Sequence, residues 1–210
     1  MTAARAALPA RLVLATGNAG KLHEMRAILE PWQVDVRSQA EFTASSAAET
    51  AVTFVENALL KARFAATHAR LPAVADDSGL EVDALDGAPG VRSARFAGEN
   101  ADDAANNREL LRALENMPDE MRAARYRCVM VYLRSPDDPA PVIAQAHWEG
   151  HIARAPRGSA GFGYDPLFVI DDAGTTAAEL ATVEKNRRSH RGRALRALVA
   201  TLTAGAEPVV

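Results

Sequence analysis

The stretch Leu12-Val13-Leu14-Ala15-Thr16-Gly17-Asn18-Ala19-Gly20-Lys21-Leu22 decides the fold class. Residues 12–15 form a short apolar run with glycines just after it, the pattern of a buried strand. Leu22, Met25, Ile28 and Leu29 then recur at helical spacing, and Pro31 closes that helix. Strand, glycine loop and helix in succession open an α/β chain. The loop is also chemically loaded. Glycines 17 and 20 let backbone N–H groups approach an anion, the helix N-terminus adds a partial positive charge, and Lys21 adds a full one. It is not a P-loop, which needs glycine where Ala15 stands and Ser or Thr where Leu22 stands. An ordinary tight turn is the plainer alternative.

Working outward, residues 34–37 read as a second strand. Thr53 and Glu56 suit a capping box ahead of a helix that carries Val55, Leu59, Ala62 and Ala66 on one face to about Ala69. Residues 73–75 read as a short strand ending in the turn Asp76-Asp77-Ser78-Gly79, and residues 86–90 as a loop. Asp102 or Asp103 caps a helix through Leu114, closed by Pro118. Residues 125–134 and 141–148 are β-rich and flank a Pro- and Asp-containing turn, so they form a pair, with 149–154 as a further strand. Residues 158–163 are a glycine loop. Thr176 caps a helix to about Glu184, and residues 192–202 form the last one. The expected architecture is α/β and two-lobed, with an elongated mixed central sheet flanked by helices and a substrate cleft between the lobes. Residues 1–10 are expected as a flexible N-terminal extension, 11–204 as the single two-lobed domain, and 205–210 as a tail.

Composition narrows the classes. The net charge is −3 over 210 residues and no long basic run exists, so nucleic acid is not the expected partner. No apolar run approaches the ~20 residues of a membrane span. The single cysteine, Cys128, lies in an apolar run and excludes an internal disulfide, which fits a reducing cytoplasm. Of 24 basic residues only three are lysine: Lys21, Lys61 and Lys185. In a chain this biased toward arginine, three compact ammonium groups become candidates for phosphate contact.

Three further segments carry chemistry. Asp76-Asp77-Ser78-Gly79 offers two adjacent carboxylates at a strand end, suited to Mg²⁺, which takes one or two carboxylates with water and phosphate oxygens. Glu49 and Glu56 are further acids that could face the same pocket. Gly161-Phe162-Gly163-Tyr164-Asp165-Pro166 places two aromatics in flexible backbone, where a ring could stack on a base. Lys185-Asn186 and Ser189-His190-Arg191-Gly192 lie between the last two helices and offer donors. Each segment has a plainer reading as a solvated turn, a turn with core aromatics or a basic inter-helix loop. The other histidines form no zinc pattern, and no G-x-S-x-G elbow exists.

Six blocks in one order carry a resemblance: residues 14–21, 54–62, 75–80, 87–91, 162–166 and 189–192. The chain resembles the inosine/xanthosine triphosphate pyrophosphatases from about residue 11 to 203. The resemblance implies a two-lobed α/β fold, a cytoplasmic homodimer, Mg²⁺ dependence, and cleavage of a nucleoside triphosphate (ITP, dITP or XTP) between the α and β phosphates. By position it makes Thr16, Gly17, Asn18, Ala19, Gly20, Lys21 and Lys61 the triphosphate site, and Asp77 the general base and a metal-site acid. Ser78 contacts substrate, Phe162, Gly163, Tyr164 and Asp165 cradle the base, and Lys185, His190 and Arg191 complete its pocket. Similar bacterial sequences carry paired acids where this chain has Ala48-Glu49, so Glu49 is taken as the second metal-site acid. A nucleotide-binding regulatory module without turnover, a structure-specific nucleic-acid protein and a γ-phosphatase are the rival readings. Release of pyrophosphate separates the first and last from the leading one.

Overall fold

A computed structural model describes residues 8–171 and 173–204. The tail at 205–210 and residues 1–7 of the expected extension lie outside them. Leu8 packs against the first core described below, and the Ala10 carbonyl accepts a 2.9 Å bond from Asp35 N–H.

The opening stretch folds as read. Strand β1 (Arg11–Leu14) leads through the glycine loop into helix α1 (Ala19–Leu29). Strand β2 (Asp35–Ser38) pairs parallel with β1, placing Leu12 opposite Val36. After helix α2 (Phe54–Ala69), strand β3 (Ala73–Val82) pairs parallel with β1 on its other edge, Leu14 opposite Val74. Helix α3 (Asp103–Ala113), strands β4 (Ala123–Leu133), β5 (Val142–Ile152) and β6 (Phe168–Val169), and helices α4 (Thr182–Arg188) and α5 (His190–Thr203) complete the chain. The sheet has six strands in the order β2-β1-β3-β4-β5-β6, and β6 runs antiparallel to β5. It is therefore mixed, as expected. Among the described residues no helix is long and apolar enough to cross a membrane.

Two compact units divide the chain, with the divisions falling inside β3, β4, β5 and at the start of α5. The first unit comprises the described residues up to 77, Cys128–Ala146 and those from 192 onward. Its core joins Leu12 and Leu14 to Met25 and Leu29 of α1, Val74, Met130, and Leu195 and Leu198 of α5. The second unit is Ser78–Arg127 with His147–Arg191, and its core gathers Leu80, Val82, Leu110, Leu114, Tyr126, Trp148, Ile152 and Phe168. Cys128 is buried in the first core as a small apolar side chain.

Four expected boundaries change. The segment 76–79 is not a turn, because β3 runs straight through it to Val82. Asp, Ser and Gly are turn formers by local chemistry, but pairing of the buried acids with distant lysines overrides that preference. The separate strand expected at 149–154 is the end of β5. The Thr176 helix breaks in two: Thr176 and Glu179 form a capping box on a single 3₁₀ turn, Ala177–Glu179, and α4 starts afresh at Thr182. The presumed basic loop between the last helices is also helical. Lys185 lies in α4, His190 and Arg191 open α5, and Ser189 alone separates the two helices.

Candidate active site

In the first unit, the loop after β1 is built by its own side chains. Thr16 Oγ1 accepts from Asn18 N–H at 3.1 Å, and Asn18 Oδ1 caps α1 by accepting from Lys21 N–H at 3.0 Å. The Ala19 and Gly20 amides in that first turn have no acceptor within the helix and so are suited to an anion. A side chain at Gly17 would meet nothing within 4 Å, which leaves space above the loop.

The adjacent acids of β3 do not form one clamp. Consecutive strand residues present side chains to opposite faces, and each acid takes its own lysine. Lys21 Nζ from α1 lies 2.8 Å from Asp76 Oδ2, a carboxylate only 1% exposed. Lys61 Nζ from α2 lies 2.6 Å from Asp77 Oδ1 and 3.2 Å from Glu49 Oε1. Asp76 and Asp77 are therefore not one two-carboxylate clamp, and Asp77 and Glu49, the two acids that the resemblance implies for a metal, meet at the Lys61 ammonium. Glu56 is spent elsewhere: its carboxylate accepts from the Thr53 hydroxyl at 2.5 Å while Thr53 caps α2.

Burial shifts this chemistry. It pushes the Asp77 carboxyl above the ordinary carboxylate range, and the nearby Glu49 charge adds to the effect against the pull of Lys61 and Lys21. Burial also works against the Lys61 ammonium, but Asp76, Asp77 and Glu49 together outweigh it and hold its pKa above the usual lysine value. The residues fit a hard divalent cation. Asp77 Oδ2 is buried with no hydrogen-bond partner among the described residues, and Asp77 and Glu49 already share one cation, the Lys61 ammonium. Among the described residues no group of three or more His, Cys, Asp or Glu forms a metal cage. A two-carboxylate donor set suits Mg²⁺, which keeps several waters and takes phosphate oxygens.

In the second unit the expected base-site residues cluster. The Lys185 ammonium and Asp165 Oδ2 form a buried ion pair at 2.7 Å, with side chains 7% and 4% exposed. The same Oδ2 accepts from Phe162 N–H at 2.8 Å. Gly161 allows this turn: it sits at φ +79°, and a Cβ there would lie 2.1 Å from Asp165 Oδ2. The Phe162 ring has Lys185 Nζ 4.9 Å and the Arg191 guanidinium 5.3 Å from its centroid. Arg191 also donates to Ser78 Oγ at 3.0 Å. Tyr164 is different. Its ring belongs to the second core, and its hydroxyl donates to Ser93 O at 2.7 Å, so its side chain is committed to the fold.

Sequence reading missed Tyr126. Its ring stacks on His190 at 4.6 Å and 11°, and its hydroxyl reaches Asp165 Oδ1 at 3.4 Å. Burial, with the Asp165 charge, drives its pKa far above that of an exposed tyrosine, so it stays neutral. Inside an apolar β4 sequence it reads only as another core aromatic.

The sequence profile of the Ham1 family matches residues 12–201. The dITP/XTP pyrophosphatase of Thioalkalivibrio sulfidiphilus is 56% identical over 192 residues, which is 91% of this chain and 98% of that protein. The dITP/XTP pyrophosphatase of Shigella flexneri is 51% identical over 195 residues, 93% of this chain and 99% of that one. A HAM1 protein from Coxiella burnetii shares the fold with a TM-score of 0.85 and 49% identity, covering 93% of this chain and 99% of its own. With the profile, the relatives and the fold agreeing along nearly the whole length, this chain belongs to the Ham1 family.

Proposed function

We propose that this protein hydrolyses non-standard purine nucleoside triphosphates, ITP, dITP and XTP, to the monophosphate and pyrophosphate, removing them from the nucleotide pool. The full-length likeness to proteins named dITP/XTP pyrophosphatase supports the substrate class. The observation that carries the chemistry is the Lys61 ammonium shared by Asp77 and Glu49, with the Lys21–Asp76 pair beside it in the same unit.

In this reading residues 16–21 and Lys61 hold the triphosphate, and the two lysines stabilise charge on the departing pyrophosphate. Asp77 accepts the proton of the attacking water, and the burial that raises its pKa makes it the stronger base. Asp77 and Glu49 would hold Mg²⁺, which would supply charge neutralisation on the triphosphate. Phe162 stacks on the base, the backbone of 163–165 with Lys185, His190 and Arg191 encloses it, and Ser78 contacts the substrate. Residues 11–204 act as the catalytic domain of a cytoplasmic homodimer, which engages neither nucleic acid nor membrane.

The test is hydrolysis of ITP with both products identified. Inosine monophosphate and pyrophosphate are expected with MgCl₂, and no turnover in excess EDTA. Orthophosphate as the first product, or undiminished turnover in EDTA, overturns the reading. Light scattering at micromolar concentration should give the mass of two chains, and a one-chain mass refutes the dimer.

A further inference from the structure

Helix α3 carries two side chains that the proposed chemistry does not use, and both end on one residue of the base loop. Asp103 Oδ2 accepts from Gly163 N–H at 2.6 Å, and Asn107 Nδ2 donates to Gly163 O at 2.9 Å. The two are four residues apart, so they stand on one face of α3 a turn apart. Gly163 has φ +63°, in the left-handed region, and opens the hydrogen-bonded turn in which Leu167 N–H and Phe168 N–H both donate to Tyr164 O.

The Asn107 amide shows which bond sets its orientation. Its Oδ1 is buried with no hydrogen-bond partner among the described residues. Rotating the amide by half a turn would bring that oxygen against Gly163 O, acceptor against acceptor. The side chain thus leaves a buried acceptor unmet in order to donate to the loop. The α3 helix is itself anchored for the task. Asp102 caps it through Ala105 N–H at 2.7 Å, and Asn106 fastens it by bonds to Ala97 N and Ala94 O.

Holding both the N–H and the C=O of Gly163 fixes the two peptide planes that follow Phe162. On the other side of Phe162, Asp165 holds the Phe162 N–H. We infer that Asp103 and Asn107 are positioning residues for the nucleobase: by gripping Gly163 they set the ring of Phe162 beside Lys185 and Arg191. This rests on the proposal that the Phe162 loop receives the base. The clamp should act on base affinity and selectivity while leaving the phosphate end untouched.

The experiment uses the full chain with MgCl₂ and two probes, inosine monophosphate and pyrophosphate, measured by calorimetry. Asn107→Asp keeps the shape but removes the donor, and Asp103→Ala removes the acceptor. Each should weaken inosine monophosphate by about tenfold, the value of ~1.4 kcal/mol, and leave pyrophosphate within about twofold. Asp103→Asn, which keeps an oxygen for Gly163 N–H, should restore affinity. In turnover, KM for ITP should rise with kcat nearly unchanged, as for lost uniform binding, and the preference for ITP over GTP should shrink. Thermal melts identify any variant that fails to fold, and the other variant then decides. Wild-type affinity for inosine monophosphate in both folded variants overturns the clamp, as does equal weakening of both probes. Phe162→Ala serves as the reference: if it weakens inosine monophosphate while the α3 variants do not, only the clamp fails. If Phe162→Ala leaves that affinity unchanged, the base-site reading fails and the clamp with it.

Discussion

Substitutions at the two ends of the Lys61–Asp77 pair should have opposite consequences for stability. At 2.6 Å and an effective dielectric of about 20, their gross attraction is roughly 6 kcal/mol, and the Lys61–Glu49 contact at 3.2 Å is roughly 5 kcal/mol. Desolvating each ion costs several kcal/mol against these gains. In Asp77→Asn the ammonium keeps Glu49 and the Asp76 charge, while a buried carboxylate that the fold disfavours is gone. The sign follows from the raised pKa. A carboxyl whose folded pKa lies above its unfolded one stabilises the fold at low pH, and that contribution is lost as pH rises through the folded value. Near pH 7 the ionised Asp77 is therefore a net cost, and Asp77→Asn should melt at or above the wild-type temperature. Its kcat should nonetheless fall at least about 10²-fold, through loss of the base.

In Lys61→Met the position is reversed. Asp77 and Glu49 remain together without their shared cation, and breaking such a buried pair costs about 3–5 kcal/mol. For a domain of this size that is a fall of roughly 6–20 °C in Tm. At the proposed metal site Mg²⁺ would replace the missing countercharge between the same two carboxylates, so MgCl₂ should raise the Tm of Lys61→Met more than that of wild type. Thermal unfolding by circular dichroism with MgCl₂ and with EDTA measures all of this without turnover. Refutation would be Asp77→Asn melting well below wild type, or Lys61→Met gaining nothing from Mg²⁺. Near-full activity in Asp77→Asn would remove the residue from the site.

Three further outcomes are expected. Asp138 is buried at the β4–β5 turn, where it accepts from Arg134 Nε, Arg134 N and Ala140 N at 2.9–3.0 Å; the Arg134 side chain, with those amides, holds its carboxyl well below the usual range. Asp138→Ala should cost about 1–3 kcal/mol at pH 7, shrinking as pH falls below about 4 because a depressed pKa stabilises only above the unfolded value; urea melts giving equal stability at pH 7 refute it. Buried Arg122 donates to the carbonyls of Leu114, Ile152 and Ala153 at 2.7–3.0 Å, so Arg122→Met should cost about 3 kcal/mol by the same melts, and an unchanged midpoint refutes it. ITP and XTP should be preferred over ATP by up to about 10⁴-fold in kcat/KM, since in the proposed base site a donor such as Arg191 would meet a 6-oxo group but oppose an amino group, and GTP should be rejected less strongly; ATP turned over as well as ITP refutes it.

What the sequence discloses of this protein depends on the range of the interaction. The β1–loop–α1 opening is legible because its period, glycines and cap lie within 20 residues. The scarcity of lysine singles out three residues for phosphate contact, and the structure places all three in ion pairs. Lys21, Lys61 and Lys185 each end on a buried carboxylate, Asp76, Asp77 with Glu49, and Asp165, at 2.6–3.2 Å. Long-range features are not legible. Tyr126 under His190 and α3 against Gly163 join residues 56–64 positions apart, and the two-residue β6 is too short to carry a period.

At residues 76–79 the sequence points to paired acids but to the wrong backbone. Two acids, a serine and a glycine look like a solvated turn as long as their charges have no partners. Once Lys21 and Lys61 arrive from 55 and 16 residues away, both acids can be buried and the strand continues. A continuous strand then forces the acids onto opposite faces, so each lysine keeps its own carboxylate. Asp76 thereby meets Lys21, while Asp77 meets Lys61 together with Glu49. Local sequence identified the pair, but only the strand geometry divides the roles between its members.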